Sequence, residues 1–245
     1  MDKSYTELHR VNFYNSDRNG NMQLSSYLNW CGEIAGAHIE TRGVSRESML
    51  EEQQVFLLSK IKVLFHKPVR YRDDVTLRTW EHSISGAKFF RCFALEKDGE
   101  RLCESKSAWV LVDLASRRIL RPTDYKHEFV FTDEIPITAE LTKMKMGEFP
   151  LIAQHIVSFS ETDGNGHLNN SEYGSFLTDY APDEMAEKMR NGASFGSVEI
   201  AFIKEAKQND RIDIYSAVLS ENSYAMYGAF ADGKRCFEAQ VELMV

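Results

Sequence analysis

Residues 13–30 read FYNSDRNGNMQLSSYLNW and residues 159–176 read FSETDGNGHLNNSEYGSF, two stretches that match at a constant displacement of 146 positions. Asp17 falls on Asp163, Asn19 on Asn165, Gly20 on Gly166, Tyr27 on Tyr173 and Trp30 on Phe176. Self-similarity at a fixed spacing marks a repeated structural unit, so the chain reads as two copies of one design. Both copies continue alike. After the first, Leu24, Leu28, Cys31, Ile34, Ala35 and His38 recur at three and four residues, which predicts a helix over 24–41 that Gly43 ends. After the second, Tyr173, Phe176, Leu177 and Tyr180 predict a helix from about 171, with Pro182 marking a kink or a restart.

Each helix is followed by four runs rich in Val, Phe, Trp and Leu, at 56–65, 75–84, 88–95 and 101–113 in the first copy and at 197–204, 212–219, 224–230 and 234–245 in the second. Asp98-Gly99 and Asp232-Gly233 supply the positive φ that tight hairpin turns require. Residues 115–150 hold three of the five prolines and the basic cluster Arg117, Arg118 and Arg121, and read as a long connection with at most one short helix. The organisation expected is an N-terminal repeat over 1–120, a linker over 121–150 and a C-terminal repeat over 151–245. The fold class is α+β: each half is an antiparallel sheet wrapped around a long apolar helix, the hotdog arrangement in tandem. Two such halves can pair within one chain as the subunits of a homodimer do.

Composition narrows the function. The 245 residues carry a net charge of -8, and the basic surface excess of a generic nucleic-acid binder is missing. No apolar run approaches the roughly 18 residues of a membrane span, and MDKSYTELHR at positions 1–10 has no signal-peptide core. A cytoplasmic protein, monomeric or homodimeric, is expected. Cys31, Cys92, Cys103 and Cys236 show no C-x-x-C spacing, which argues against a metal site or a disulfide framework and for four small buried hydrophobes.

The loop DGNGHLNN at 163–170 is the candidate for chemistry. Asp, Asn and Gly are also simply the residues of a turn, and Asn169 or Asn170 could N-cap the helix. A calcium loop is excluded, because its sixth position would be Met22 or Leu168 instead of Gly and its twelfth Leu28 or Gly174 instead of Glu. The comparison between copies is more telling: Asp, Asn and Gly recur in both, but His167 stands where the first copy has Asn21. A histidine is not needed to make this turn. Matching Phe202 to Phe65 and Asp210 to Asp73 also places Glu205 opposite Pro68, so the first copy lacks that acid too. Strand alternation puts Glu205 on one face with Ala201 and Ile203, in apolar surroundings if that face packs on the helix.

FSETDGNGHLNNSEYGSFL (159–177), FIKEAKQND (202–210) and SAWVLVDLASRRILRP (107–122) together resemble the acyl-acyl carrier protein thioesterases, the family that includes the plant fatty-acyl thioesterases. The resemblance covers nearly the whole chain and implies hydrolysis of the thioester between a fatty acyl chain and the phosphopantetheine arm of acyl carrier protein, in fatty acid biosynthesis, with no cofactor and no metal. It assigns the family's catalytic Asp, Asn, His and Glu to Asp163, Asn165, His167 and Glu205. Plant members carry a cysteine just after that glutamate; here the position is Ala206, so the carboxylates must do the work. Whether Asp163 or Glu205 attacks directly or activates water is open at this level, with His167 as proton donor and the amides of Gly166 and His167 as oxyanion donors. The first half, catalytically degenerate, would line the acyl tunnel. An acidic carrier would dock on a local basic patch drawn from Arg117, Arg118, Arg121, Lys67, Arg70 and Arg72. The alternatives are an acyl-CoA thioesterase, a hotdog hydratase and a non-catalytic acyl-binding protein.

Overall fold

The computed structural model describes residues 2–245. Strand β1 (Ser4–Arg10), helices α1 (Leu24–Glu40) and α2 (Arg46–Glu51), and strands β2 (Gln54–Phe65), β3 (Asp74–Ser85), β4 (Lys88–Lys97) and β5 (Glu100–Asp113) build the first half. The second half is β6 (Leu151–Ile156), α3 (Glu172–Asp179), α4 (Asp183–Arg190), β7 (Ser194–Phe202), β8 (Arg211–Ser220), β9 (Ser223–Ala229) and β10 (Arg235–Met244). All ten strands join one sheet in the order β1-β3-β4-β5-β2-β7-β10-β9-β8-β6. The order is a palindrome about the antiparallel β2–β7 seam, where Lys60 pairs with Ala201 and Leu64 with Ser197. A sequence repeat has become a pseudo-twofold axis.

Both halves feed one core. Tyr27, Ile34, Leu77 and Phe93 from the first and Tyr173, Leu177, Ile214 and Phe237 from the second belong to the same buried cluster. The helices meet where Gly174 faces the backbone of Ser25; a Cβ there would lie 2.7 Å from the Ser25 nitrogen, so only glycine permits the approach. The long first helix agrees with its spacing. The second stops at Asp179 and restarts after Pro182, which sits at the N-cap of α4. Helix α2 was not foreseen; its signal is Ser45, whose hydroxyl accepts from the Ser48 amide at 3.1 Å as an N-cap. The two Asp-Gly turns differ. Asp98 (φ 51°) and Gly99 (φ 81°) are both left-handed, as a two-residue hairpin requires, whereas at the other turn Gly233 alone is, within a longer loop closed by Phe230 N donating to Lys234 O at 3.0 Å.

The connector has a short 3-10 turn at Pro122–Asp124 and otherwise runs extended across the sheet. Two buried glutamates hold it. Glu104 accepts from the amides of Thr138 (2.7 Å) and Ala139 (2.9 Å), and Glu199 accepts from the amide of Thr142 (2.7 Å) and from Lys60 Nζ (2.9 Å). Burial alone would raise both carboxyls; the hydrogen bonds outweigh it and hold both below the ordinary carboxylate value. The four cysteines are free and buried, and burial pushes the Cys31, Cys92 and Cys236 thiols up to about 12. Among the described residues no helix is long and apolar enough to cross a membrane.

Candidate active site

The two repeated loops fold alike. Asp17 Oδ1 accepts from the amides of Asn19 (2.8 Å) and Asn21 (2.9 Å); Asp163 Oδ1 accepts from those of Asn165 (2.8 Å) and His167 (3.2 Å). Gly20 and Gly166 are left-handed at φ 77° and 75°. Met22 N donates to Val69 O and Leu168 N to Ala206 O, both at 2.8 Å, while Asn21 bridges to Arg70 and His167 to Lys207. These matched pairings put Pro68 and Glu205 at equivalent positions. The aspartate contacts are therefore turn-making in both copies, and the loops differ in His167 against Asn21 and in Glu205 against Pro68.

The differences gather in the second copy. His167 Nε2 lies 3.5 Å from Glu205 Oε2, and that oxygen also accepts from Arg117 Nη2. Glu205 Oε1 is buried and has no hydrogen-bond partner among the described residues. Asp163 Oδ2 accepts from Asn165 Nδ2 at 3.1 Å, so of the four carboxylate oxygens of this pair Glu205 Oε1 alone is unpartnered. The expected strand position of Glu205 is corrected. Strand β7 ends at Phe202, because Ile203 N and Lys204 N both donate to Cys236 O (2.9 and 3.1 Å) and turn the chain out of the ladder; Glu205 follows in the loop and faces Arg117 and His167 rather than an apolar layer.

The oxyanion expectation is also revised. The Gly166 amide donates to Asp163 O at 2.9 Å and the His167 amide to Asp163 Oδ1, so neither points freely at a substrate. Donors remain on Asn165, whose amide carries a second N–H, and on Arg46. Arg46, at the start of α2, reaches across from the first half to place Nη2 2.6 Å from Asn165 Oδ1. A guanidinium only donates, which fixes that atom as oxygen and turns the Asn165 nitrogen toward Asp163. In the other loop Asn19 Nδ2 donates instead to Met189 O on α4 at 2.7 Å. Arg46 was missed in the sequence along with the helix that carries it.

The six basic candidates do not form one patch. Arg117, after β5, reaches Glu205 beside the second loop, whereas Arg70 flanks the first, where Tyr71 N donates to Gly20 O and the Arg72 guanidinium covers the Tyr71 ring at 5.1 Å. Lys67 pairs with Glu100 and Arg121 with Asp124. Arg118 is exposed and makes no ion pair among the described residues.

Two cavities approach the site. One of about 210 Å³ is lined by Asp163, Asn169, Leu28, Gly32, Trp109 and Phe202. It shares Gly32 and Trp109 with a second of about 260 Å³, which lies in the first half against α1, α2 and the inner sheet face and reaches Arg46 and Asn165. The last two turns of α1, which line the larger cavity, have no counterpart in the shorter α3.

A single sheet with two helix-in-sheet halves related by a pseudo-twofold axis defines a double-hotdog protein of the α+β class. Residues 2–129 match the model for the acyl-ACP thioesterase N-terminal domain and residues 145–240 that for the C-terminal domain. The chain belongs to the acyl-ACP thioesterase family. It is 26% identical over 184 residues to a chloroplastic palmitoyl-acyl carrier protein thioesterase of Arabidopsis thaliana, covering 68% of this chain and 44% of that protein. Against an oleoyl-acyl carrier protein thioesterase of the same plant it is 22% identical over 230 residues, covering 86% of this chain and 62% of that protein. The chain thus spans less than two thirds of these relatives. Its fold is similar to an acyl-ACP thioesterase from Bacteroides thetaiotaomicron (TM-score 0.88, 19% identity, 99% of this chain and 98% of that one) and to a 12:0-ACP thioesterase from Umbellularia californica (TM-score 0.81, 17% identity, 100% and 98%).

Proposed function

We propose that this protein hydrolyses the thioester of fatty acyl-acyl carrier protein, releasing free fatty acid and the carrier, with its chemistry at the second loop and its acyl chain in the first-half cavity. The observation that carries this reading is the His167–Glu205 pair, present in one copy of a duplicated loop, with Glu205 Oε1 buried and unpartnered. Glu205 takes a proton from water, and the oxygen adds to the thioester carbonyl. Collapse of the tetrahedral intermediate breaks the C–S bond, and His167 protonates the departing thiolate. The thiol, with an ordinary pKa near about 8.5, is a good leaving group, so no metal is required. Glu205 then gives its proton to solvent and His167 takes one up, so that the site is reset. Asp163 holds the loop, Asn165 is oriented by Asp163 and Arg46, and the free Asn165 N–H with Arg46 faces the developing oxyanion. Arg117 orients Glu205 through the oxygen that water does not use.

The experiment is thiol release from palmitoyl, oleoyl and shorter acyl groups on carrier protein and on coenzyme A. Turnover on carrier-linked chains with a kcat/KM at least about tenfold above that for coenzyme A supports the proposal, by the ordinary worth of a specific docking surface. Equal turnover on both would favour an acyl-CoA thioesterase. Absence of thiol release from either would favour an acyl-binding protein.

A further inference from the structure

The first loop lacks the His–Glu pair of the second but carries an outer surface that the second does not have. Phe13 and Tyr14 project from the 3-10 turn Phe13–Asn15 and are 71% and 89% exposed. The turn is pinned, with the Asn12 amide donating to Asn15 Oδ1 at 3.1 Å and Ser16 Oγ to Phe13 O at 3.0 Å. The Phe13 ring meets Tyr14 edge-on at 5.6 Å and Tyr71 at 6.2 Å, and the Tyr71 amide ties that ring to the loop through Gly20 O. Arg18, Arg70 and Arg72 surround these rings, exposed and without an ion pair among the described residues. Of the nearby carboxylates, Asp73 pairs with Lys97 and Asp74 with Arg10, which leaves Asp17 against three guanidiniums. The patch is therefore locally positive on a chain of net charge -8. In the second half the matching positions hold Phe159, Ser160 and Gln208 for the rings and Gly164, Lys207 and Asn209 for the arginines, so one ring and one cation remain.

Exposed rings clustered within a rim of cations fit a surface that is anionic outside and apolar beneath. The rings protrude from a turn and line no groove. A flat protein face would cover them only by offering pockets, whereas a lipid headgroup layer parts around them. Salt confines electrostatic attraction to about 10 Å, so the acidic remainder of the chain does not cancel the local charge. We propose that the first loop docks the protein on the surface of an anionic phospholipid membrane. Phe13 and Tyr14 enter at headgroup depth, and Arg18, Arg70 and Arg72 meet the phosphates. This goes beyond the thioesterase reading and does not depend on it.

The test is co-sedimentation of the full chain with vesicles of phosphatidylcholine alone and of phosphatidylcholine mixed with phosphatidylglycerol. The partition coefficient on the mixed vesicles should exceed that on the neutral ones by at least about tenfold and should fall as salt is raised. Arg70→Gln and Arg72→Asn should each lower it by about fivefold, the ordinary worth of one basic side chain at an anionic surface. Asn suits the left-handed backbone of Arg72, since Asn209 holds the matching conformation. Phe13→Ser and Tyr14→Ser should weaken binding several-fold, whereas Phe159→Ser on the second half should not, with melting temperatures confirming that each variant folds. Failure to bind the mixed vesicles, equal binding to both kinds, or an equal loss in Phe159→Ser overturns the inference. Capture of acyl carrier protein in place of vesicles, lost in Arg72→Asn, overturns it too and gives the patch to the carrier. None of these outcomes bears on thiol release, which tests the thioesterase reading separately.

Discussion

The imidazole of His167 and the carboxylate of Glu205 stand 3.5 Å apart, while the matching positions of the first half hold Asn21 and Pro68, which can neither carry nor exchange a proton. His167→Ala and Glu205→Gln should each lower kcat at least about 100-fold without changing the melting temperature by more than a few degrees, on the usual worth of general acid–base groups. Asn21→Ala should leave kcat nearly unchanged. Steady-state kinetics on the three purified variants decides; a damaging Asn21→Ala would move the site to the other half.

Asp163 makes the backbone contacts that Asp17 makes in the silent loop. Asp163→Asn is expected to lower kcat at least about 100-fold as well, through loss of loop geometry. The fall should come with faster amide exchange at Asn165 and His167, whose N–H groups lose their charged acceptor. An equally large fall with unchanged exchange would indicate that Asp163 itself reacts.

The fold was legible because period and duplication are backbone properties: the spacing of Leu24 to His38 marks a helix, and the displacement of 146 marks a second copy of it. The repeat even extends upstream to His9 and His155, whose rings lie 4.4 Å from Trp30 and 4.6 Å from Phe176. The candidate site residues were singled out through the asymmetry between copies. Arg46 and the partner of Arg117 were not, since both depend on contacts between halves, and a six-residue helix and a loop after β5 carry no period. Glu205 was misplaced because alternation cannot report where Cys236 ends the ladder.

Among the described residues no thiol bonds Asp163, Asn165, His167 or Glu205, although Cys31 lines the smaller cavity, and all four thiols are buried with raised pKa values, so thiolate is scarce at neutral pH. Iodoacetamide should leave the activity of the native protein intact and the protein unlabelled by mass spectrometry, with four adducts appearing only in denaturant. Inactivation paralleling a single native adduct would reinstate a cysteine mechanism.

His38 is buried beside Arg91 and Arg42, and burial first, then those two charges, lowers it to about 4. In the unfolded chain it titrates near about 6.5, so between these values the unfolded state binds the extra proton. Its contribution to stability is complete above about pH 6.5 and is lost progressively as pH falls toward 4. Urea midpoints across this range should decline with falling pH, and His38→Gln should flatten the decline. An equal slope in the variant would assign it to other groups.

Arg117 and Arg118 are adjacent in sequence and separate in role. Arg117 bonds Glu205, so Arg117→Ala should reduce kcat roughly 10- to 100-fold by releasing the carboxylate from its orientation, with little change in the salt dependence of KM. Arg118 is exposed, and Arg118→Glu should instead raise KM for carrier-linked substrate while kcat holds. For the wild type, KM should climb with ionic strength, as screening shortens the reach of a docking charge to about 10 Å at 0.1 M salt and less above it. If Arg117→Ala moved KM alone, its bond to Glu205 would be incidental and the arginine would belong to the carrier surface.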